Sequence, residues 1–163
     1  MQRFFFIVLF SIFLSTSLLK ARVINIDALA FNAATNNKHL ILFLHKTNCG
    51  YCENMKAFTL EDKKIKQKIK HSFFYEHLNV YTKDSVIWHS KHYKAKEFAI
   101  KTGYDFYPTT LFFDKNGNII FAEVGYRDNK AMPNEKRFLY ILDFIDSKSY
   151  KTIDYEEYLF SKE

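Results

Sequence analysis

The chain has two cysteines, Cys49 and Cys52, and only Gly50 and Tyr51 separate them. This spacing allows an intramolecular disulfide and is typical of pairs that undergo thiol–disulfide exchange. In such an exchange, the first thiolate attacks a disulfide of another molecule and the second thiol resolves the mixed disulfide. We therefore predict that Cys49 is the nucleophile and that Cys52 is the resolving thiol.

A strand and a helix are predicted to position this pair. Residues 39–45 form an apolar run, HLILFLH, suited to a buried central strand, and Met55 and Phe58 continue after Cys52 at helical spacing. The cysteines thus lie where the strand ends and the helix begins. Unpaired backbone N–H groups and the positive end of the helix dipole stabilise a thiolate at that place.

The rest of the mature chain is predicted to alternate between strands and helices. The helix after Cys52 is expected to stop and restart, with Thr59 as the new N-cap. The other predicted elements, in chain order, are a strand at 23–26, a helix at 28–36 capped by Asp27, a strand at 72–81, a polar loop at 82–89, an amphipathic helix at 91–102, a strand at 109–113, a turn at 114–118, a return strand at 119–124 and a helix around 138–145.

This order, β-α-β-α-β-α-β-β-α, indicates an α/β fold. Strands separated by helices pair in parallel, and the closing hairpin adds an antiparallel edge. We therefore expect a central mixed β-sheet flanked by helices on both faces. The tail, residues 148–163, is charged and aromatic and receives no assignment.

The N-terminus has the pattern of a secretory signal. Arg3 gives it a positive start, the stretch Phe4–Leu19 is almost entirely apolar, and small residues follow. The apolar stretch is shorter than the ~20 residues needed to cross a bilayer. We predict a signal peptide at residues 1–21, cleaved after Ala21 or less favourably after Ser17, and a periplasmic or other extracytoplasmic location. An uncleaved membrane anchor is the alternative.

Size and charge limit the remaining possibilities. A chain of 163 residues supports one domain, expected here at 22–147, and its net charge of +6 is spread along the sequence. Five lysines between positions 63 and 70 alternate with Ile65 and Ile69, which predicts a solvated helix face behind an apolar stripe. No basic patch with a base-reading motif is visible, so we expect no nucleic-acid partner.

With these motifs in place, the chain resembles the thioredoxin superfamily over nearly all of its mature length. The resemblance implies that the bond before Pro108 is cis, that the backbone of Tyr107 pairs with the substrate, and that Gly50 and Tyr51 support the active site. Gly-Tyr is also the dipeptide of the periplasmic disulfide isomerases. The matching segments are Leu40–Leu44, Cys49–Cys52, Phe98–Tyr104, Tyr107–Thr109, Leu111–Gly117 and Gly125–Tyr126.

Two positions depart from the thioredoxin pattern. The buried acid that accepts a proton from the resolving thiol is replaced by Phe43, and the tryptophan before the first cysteine is replaced by Asn48. Another base or water must therefore accept the proton. His45 at the strand end and Glu53 in the first helical turn are candidate tuning residues. Both also fit ordinary structural roles.

The resemblance implies an exported thiol–disulfide oxidoreductase that reduces disulfides of client proteins, with a membrane thiol donor or acceptor as its redox partner. The alternative is an oxidase or isomerase that donates disulfides to clients. The dimeric isomerases need an N-terminal dimerisation domain, and the residues between Ala21 and Asn48 are too few for one. We therefore expect a monomer.

Other roles for the cysteine pair are weaker alternatives. His45, Cys49 and Cys52 offer zinc or copper only three ligands. A purely structural disulfide across two residues stabilises little, because the stabilisation grows with loop length. Covalent haem attachment needs a histidine where the chain has Glu53. We expect no metal and no cofactor besides the redox-active disulfide.

Overall fold

The computed structural model describes residues 21–130 and 132–162. The predicted leader therefore lies, except for Ala21, outside the described residues. Within those residues, no helix has both the length and the apolar character required to span a membrane.

Seven strands and six α-helices follow one another along the described chain. The strands are β1 (Val23–Asn25), β2 (His39–His45), β3 (Phe73–Asn79), β4 (Ser85–Trp88), β5 (Lys91–Lys94), β6 (Thr109–Phe113) and β7 (Ile119–Val124). The helices are α1 (Ile26–Thr35), α2 (Gly50–Asn54), α3 (Lys63–Ser72), α4 (Ala95–Thr102), α5 (Asn134–Asp146) and α6 (Tyr155–Phe160). A π-helical turn, Met55–Leu60, continues α2, and a 3-10 turn, Ser149–Lys151, precedes α6.

The strands form two sheets instead of the single predicted one. The larger sheet has the order β3-β2-β6-β7, in which β2 runs parallel to β3 and antiparallel to β6. The smaller sheet has the order β1-β4-β5, in which β1 runs parallel to β4 and β5 runs antiparallel to it. The prediction of a mixed α/β fold is confirmed.

Helices cover both faces of the larger sheet, as the sequence predicted. Leu40, Leu42 and Leu44 of β2 belong to a core that also contains buried residues of α1 and α4. Ile41 and Phe43 point to the other face and pack in a second core with residues of α3, α5 and α6. Alternation along one strand therefore divides the interior into two cores.

The prediction of a polar loop at 82–89 and a helix from 91 was wrong in part. Residues 85–88 form β4, and residues 91–94 form β5, so α4 begins only at Ala95. Val86 is fully buried because it pairs with Ile24 of β1 and with Tyr93 of β5. This pairing joins segments far apart in sequence, and the polar residues around β4 conceal it.

Two helix caps also differ from the prediction. Asn25, not Asp27, caps α1, because its side-chain oxygen accepts a hydrogen bond from the N–H of Ala28 at 3.0 Å. The carboxylate of Asp27 instead accepts hydrogen bonds from the backbone N–H groups of His89 and Ser90, in the β4–β5 turn. The helix after Cys52 does restart, but Asp62 caps it.

Thr59, which the sequence suggested as that cap, is fully buried. Its hydroxyl accepts a hydrogen bond of 2.7 Å from the side-chain amide of Asn134 at the start of α5. Asp62 accepts bonds from the N–H groups of Lys64 and Ile65, which are the donors left free at the beginning of α3. Thr59 thus lies within the π-helical turn, and the N-cap of α3 follows three residues later at Asp62.

The C-terminal tail contributes to the second core. Tyr155 and Tyr158 of α6 are both less than one-tenth exposed. The ring of Tyr155 lies 5.2 Å from that of Phe121 and 5.4 Å from that of Phe144, between their centroids, in edge-on arrangements. Aromatic pairs of this geometry add to the free energy gained by burial.

We expect Tyr155→Ala to destabilise the fold by about 3 kcal/mol, because it removes a buried aromatic ring from this core. Phe160→Ala in the same helix is the matched control, since Phe160 is 81% exposed; the control is expected to change stability by no more than about 0.5 kcal/mol. Urea unfolding followed by circular dichroism measures both. Equal losses in the two variants would show that α6 does not complete the core.

Candidate active site

The cysteine pair lies directly after the central strand. β2 ends at His45, and the chain then turns through Asn48, whose φ is +57°. Cys49 is the N-cap of α2, and its sulfur accepts a hydrogen bond of 3.2 Å from the backbone N–H of Cys52. The strand-to-helix placement expected from the sequence is therefore present, and the N-terminal dipole of α2 points at Cys49.

The two cysteines form a disulfide but differ in exposure. Cys49 is 7% exposed, whereas Cys52 is completely buried. Gly50 and Tyr51 between them are exposed, and 66% of the Tyr51 surface is accessible to solvent. Cys49 therefore keeps a small accessible surface, whereas Cys52 has none.

The loop before β6 faces the disulfide. The carbonyl oxygen of Tyr107 lies 3.9 Å from the sulfur of Cys49, and the Tyr107–Pro108 peptide bond is cis. The carbonyl of Pro108 accepts a hydrogen bond of 2.7 Å from the N–H of Gly125, which fixes the loop to the end of β7. The structure thus brings Tyr107 and Pro108 together with the cysteines.

Phe106 is a neighbour of this site that sequence reasoning missed. Its side chain is 71% exposed, and its carbonyl accepts a short hydrogen bond, 2.6 Å, from the hydroxyl of Thr109. Phe106 directly precedes Tyr107, so this exposed aromatic side chain belongs to the loop that faces the disulfide. In the sequence, only its position before Tyr107 could have indicated that it lies near the site.

His45 belongs to a pair of histidines rather than standing alone. Its Nε2 lies 3.2 Å from Nδ1 of His77, so the two rings share one hydrogen. The ring of His45 also stacks on that of Phe43, with centroids 5.5 Å apart and planes inclined by 16°. Phe43, in the position of the buried acid of thioredoxin, is itself fully buried.

Burial keeps this pair neutral. It lowers the pKa of His45 to about 4, and the positive charges of Lys56 and of a protonated His77 act in the same direction, whereas Glu53 opposes them. Burial also lowers the pKa of His77, together with the nearby charge of Arg22. Neutral imidazoles can accept a proton, which a buried phenylalanine cannot.

The contact between His45 and His77 was not predicted from the sequence. In the parallel register of β2 and β3, His77 is opposite Phe43, two residues before the partner of His45. Residues that alternate on adjacent strands share one face, so the strand pattern contained the signal. Within the described chain, no hydrogen bond joins either histidine to a cysteine sulfur.

Glu53 lies in the first turn of α2 but faces solvent. Its carboxylate forms an ion pair of 3.0 Å with Lys56, one turn further along the helix. An acid in this position complements the helix dipole. The contact gives Glu53 a structural role at the surface. Among the described residues, no group of three or more His, Cys, Asp or Glu side chains is arranged to hold a metal ion.

The comparisons with known proteins agree with this geometry. Residues 27–141 match the family model described as a thioredoxin-like domain. The chain belongs to this family. A thioredoxin-like domain that holds two cysteines in a disulfide is a thiol–disulfide oxidoreductase, so the sequence predictions of fold, family and enzyme class are confirmed.

Solved structures show the same fold. The chain is similar to a thioredoxin-fold protein from Helicobacter pylori, with 23% identity, a TM-score of 0.57, and coverage of 78% of this chain and 80% of that one. It is also similar to a thioredoxin from Thermus thermophilus, with 20% identity, a TM-score of 0.55, and coverage of 77% and 86%, respectively. No curated protein matches the sequence significantly.

The histidine pair predicts that this thioredoxin-like domain loses stability in mild acid. The unfolded chain takes up a proton on His45 as the pH falls through 6.5, whereas the folded chain does so only near pH 4. Between these values the unfolded state binds more protons, so the free energy of unfolding decreases as the pH falls. Above pH 6.5 this effect is absent.

We expect His45→Asn to make the decrease between pH 6.5 and pH 4 shallower, as measured by urea unfolding at a series of pH values. His92→Asn is the control, because His92 is exposed on β5 and is expected to leave the slope unchanged. If the His45→Asn variant kept the slope of the original protein, the pH dependence of stability could not be attributed to His45.

Proposed function

We propose that this thioredoxin-like protein works outside the cytoplasm and reduces disulfides of exported client proteins. The observation that carries the chemistry is the unequal exposure of the two cysteines, 7% for Cys49 and none for Cys52. A thiolate needs some accessible surface to attack a client disulfide, and a thiol without any is protected until the mixed disulfide forms. The signal-like residues 1–21 support the location.

The reaction begins with the pair in its dithiol form. The thiolate of Cys49 attacks one sulfur of the client disulfide, which forms a mixed disulfide and releases the other client sulfur as a thiolate. The thiolate of Cys52 then attacks the Cys49 sulfur, forms the Cys49–Cys52 disulfide and releases the second client sulfur. Two electrons pass to the client, whose two thiolates take up protons from the thiols or from water.

Three features of the site assist the attack. The N-terminus of α2, including the N–H of Cys52, stabilises negative charge on the Cys49 sulfur. The backbone of Tyr107, whose oxygen is 3.9 Å from that sulfur, offers an edge on which an extended client segment can pair. Exposed aromatic side chains, Tyr51 and Phe106, flank this edge and contact apolar client residues.

The resolving thiol needs a proton acceptor, and His45 is the candidate that this chain provides. The strand that carries His45 leads into Cys49, and the neutral His45–His77 pair lies on the same face of β2 as Phe43. In this proposal, either water or this pair accepts the proton that the acid of thioredoxin accepts. We assign Glu53 only an electrostatic role through the helix dipole.

The catalytic cycle requires a second partner. Each client reduction leaves the Cys49–Cys52 disulfide, which must receive two electrons before another turnover. In an oxidising compartment a soluble glutathione pool does not supply them, so we propose a membrane thiol donor as the redox partner. The exposed surface around Cys49 serves both client and donor.

The order of attack predicts opposite behaviour for two single substitutions. Cys52→Ser, in its reduced form, is expected to accumulate a mixed disulfide with a disulfide-containing test client such as insulin, because no thiol remains to resolve it. Cys49→Ser is expected to trap none, because Cys52 is buried. Non-reducing electrophoresis with mass spectrometry measures both. Trapping through Cys52 would reverse the assignment of the two roles.

The direction of electron flow is tested by the reduction potential of the pair in the chain from Arg22 onward, which contains every described element. Equilibration with dithiothreitol or glutathione gives the value. A potential near that of thioredoxin, about −270 mV, is expected for a reductase. A potential near about −120 mV would instead indicate an oxidase that donates its disulfide to clients.

A further inference from the structure

An open cavity of about 630 Å³ lies between the β2–β3 side of the larger sheet and the segment that runs from the π-helical turn into α3. Two of its lining residues, His45 and Lys56, are each four residues from a cysteine in sequence. We call this cavity the lysine groove, and define it by the apolar residues Phe43, Leu60, Ile69 and Tyr75 and the cationic residues Lys66 and Lys70.

The lysine groove has the size and floor of a small-molecule site. Cavities of about 300–1,000 Å³ with mostly apolar walls and a few polar groups are typical of such sites. Phe43 is fully buried, Leu60 is nearly so, and Ile69 packs against the second core. Burial raises the pKa of Tyr75, so that its phenol remains uncharged next to these side chains.

The opening lies on a side of the sheet where, among the described residues, no strand pairs with the outer edge. β3 is the outer strand of the larger sheet, and its residues Tyr75 and His77 line the groove. The segment that carries Leu60 and Lys66 forms the facing wall. The groove therefore opens to solvent above a largely buried apolar floor, and its walls belong to regular elements of the fold.

The charges around the groove favour an anion. Lys56, Lys66 and Lys70 line it together with Glu61, and Lys56 is paired at 3.0 Å with Glu53 of α2. Glu61 is already paired with Lys66 at 2.5 Å, and both side chains are more than half exposed, so solvent screens this pair. Among the described residues, no carboxylate lies within ion-pair distance of Lys70.

The two histidines that line the groove add no positive charge to it near neutral pH. His45 and His77 bond to each other, and burial favours their neutral forms. Near neutral pH, the lining therefore carries an excess of positive charge over an apolar floor. Such a combination complements a molecule that has one negative group and an apolar body.

We propose that the lysine groove binds an amphipathic organic anion, in which one carboxylate or sulfonate is carried on an aromatic or alkyl body. The body contacts the accessible side chains of Ile69 and Tyr75 above the buried Phe43 and Leu60, and the anionic group meets Lys66 and Lys70. This site is separate from the surface around Cys49 that receives clients. The inference does not depend on the direction of electron flow proposed above.

Binding is tested on the oxidised chain from Arg22 onward with two probes. 8-Anilinonaphthalene-1-sulfonate is an aromatic anion whose fluorescence rises on binding, and dodecanoate is an alkyl carboxylate that should displace it. We expect saturable one-to-one binding of the first probe and competition by the second. Dodecyltrimethylammonium, which has the same alkyl chain with a positive charge, is expected not to compete. Absence of saturable binding would overturn the proposal, and so would equal competition by the cation.

Matched lysine substitutions locate the site. Lys66→Gln with Lys70→Gln is expected to weaken the binding of both anions about fivefold, because two attractive charges are lost. Lys63→Gln with Lys64→Gln removes the same charge from the same helix at exposed positions that do not line the groove. This control is expected to weaken binding less than about twofold. Equal weakening in both variants would show that the anions respond only to the overall positive charge of α3. It would contradict the proposal that they bind in the lysine groove.

The same variants separate this proposal from the proposed function. Near-UV circular dichroism confirms that each is folded, and insulin reduction in the presence of dithiothreitol measures thiol–disulfide exchange. We expect both double variants to retain exchange activity, since neither pair of lysines belongs to the cysteine site. Loss of anion binding with retained exchange supports the groove, whereas failure of exchange in the unsubstituted protein would concern only the oxidoreductase function.

Discussion

Residues Leu40–Leu44 of β2 are buried on both faces of the larger sheet and hydrogen-bonded to a strand on each side, and the position of every active-site group follows from this arrangement. Because β2 ends at His45, the chain leaves the sheet just before Cys49. Because Leu44 pairs with Thr109, the segment that precedes β6 lies beside the segment that follows β2. Tyr107 and Cys49, which are distant in sequence, therefore meet at one edge of the sheet.

The parts of this site that the sequence predicted are those encoded locally. The apolar run at 39–45 has few ways of being buried other than as a central strand, and the cysteines follow it directly. The turn at 114–118 contains an Asn-Gly pair, and Gly117 adopts a φ of +76° there. Tyr107 and Pro108 were found by resemblance to a family, which supplies a spatial relationship that spacing alone does not.

The parts that were missed depend on partners far along the chain. Val86 is a core residue only because β1 lies beside it, and no periodic pattern in residues 82–89 reveals that partner. Tyr155 is buried against Phe121 and Phe144, so the charged and aromatic tail could receive no assignment before the second core was known. His77 gains its contact with His45 only through the register of two parallel strands. Tertiary pairing overrides local preference in each case.

The small sheet has an outer edge that bears on how copies of this protein behave at high concentration. β5 is the outermost strand of that sheet, and its open edge could serve as a template for a strand of another molecule. Lys91 and Lys94 are exposed on this short strand. When two such edges approach, their like charges repel and the lysines would lose hydration. The exposed lysines of β5 therefore protect the open edge of the small sheet against edge-to-edge aggregation.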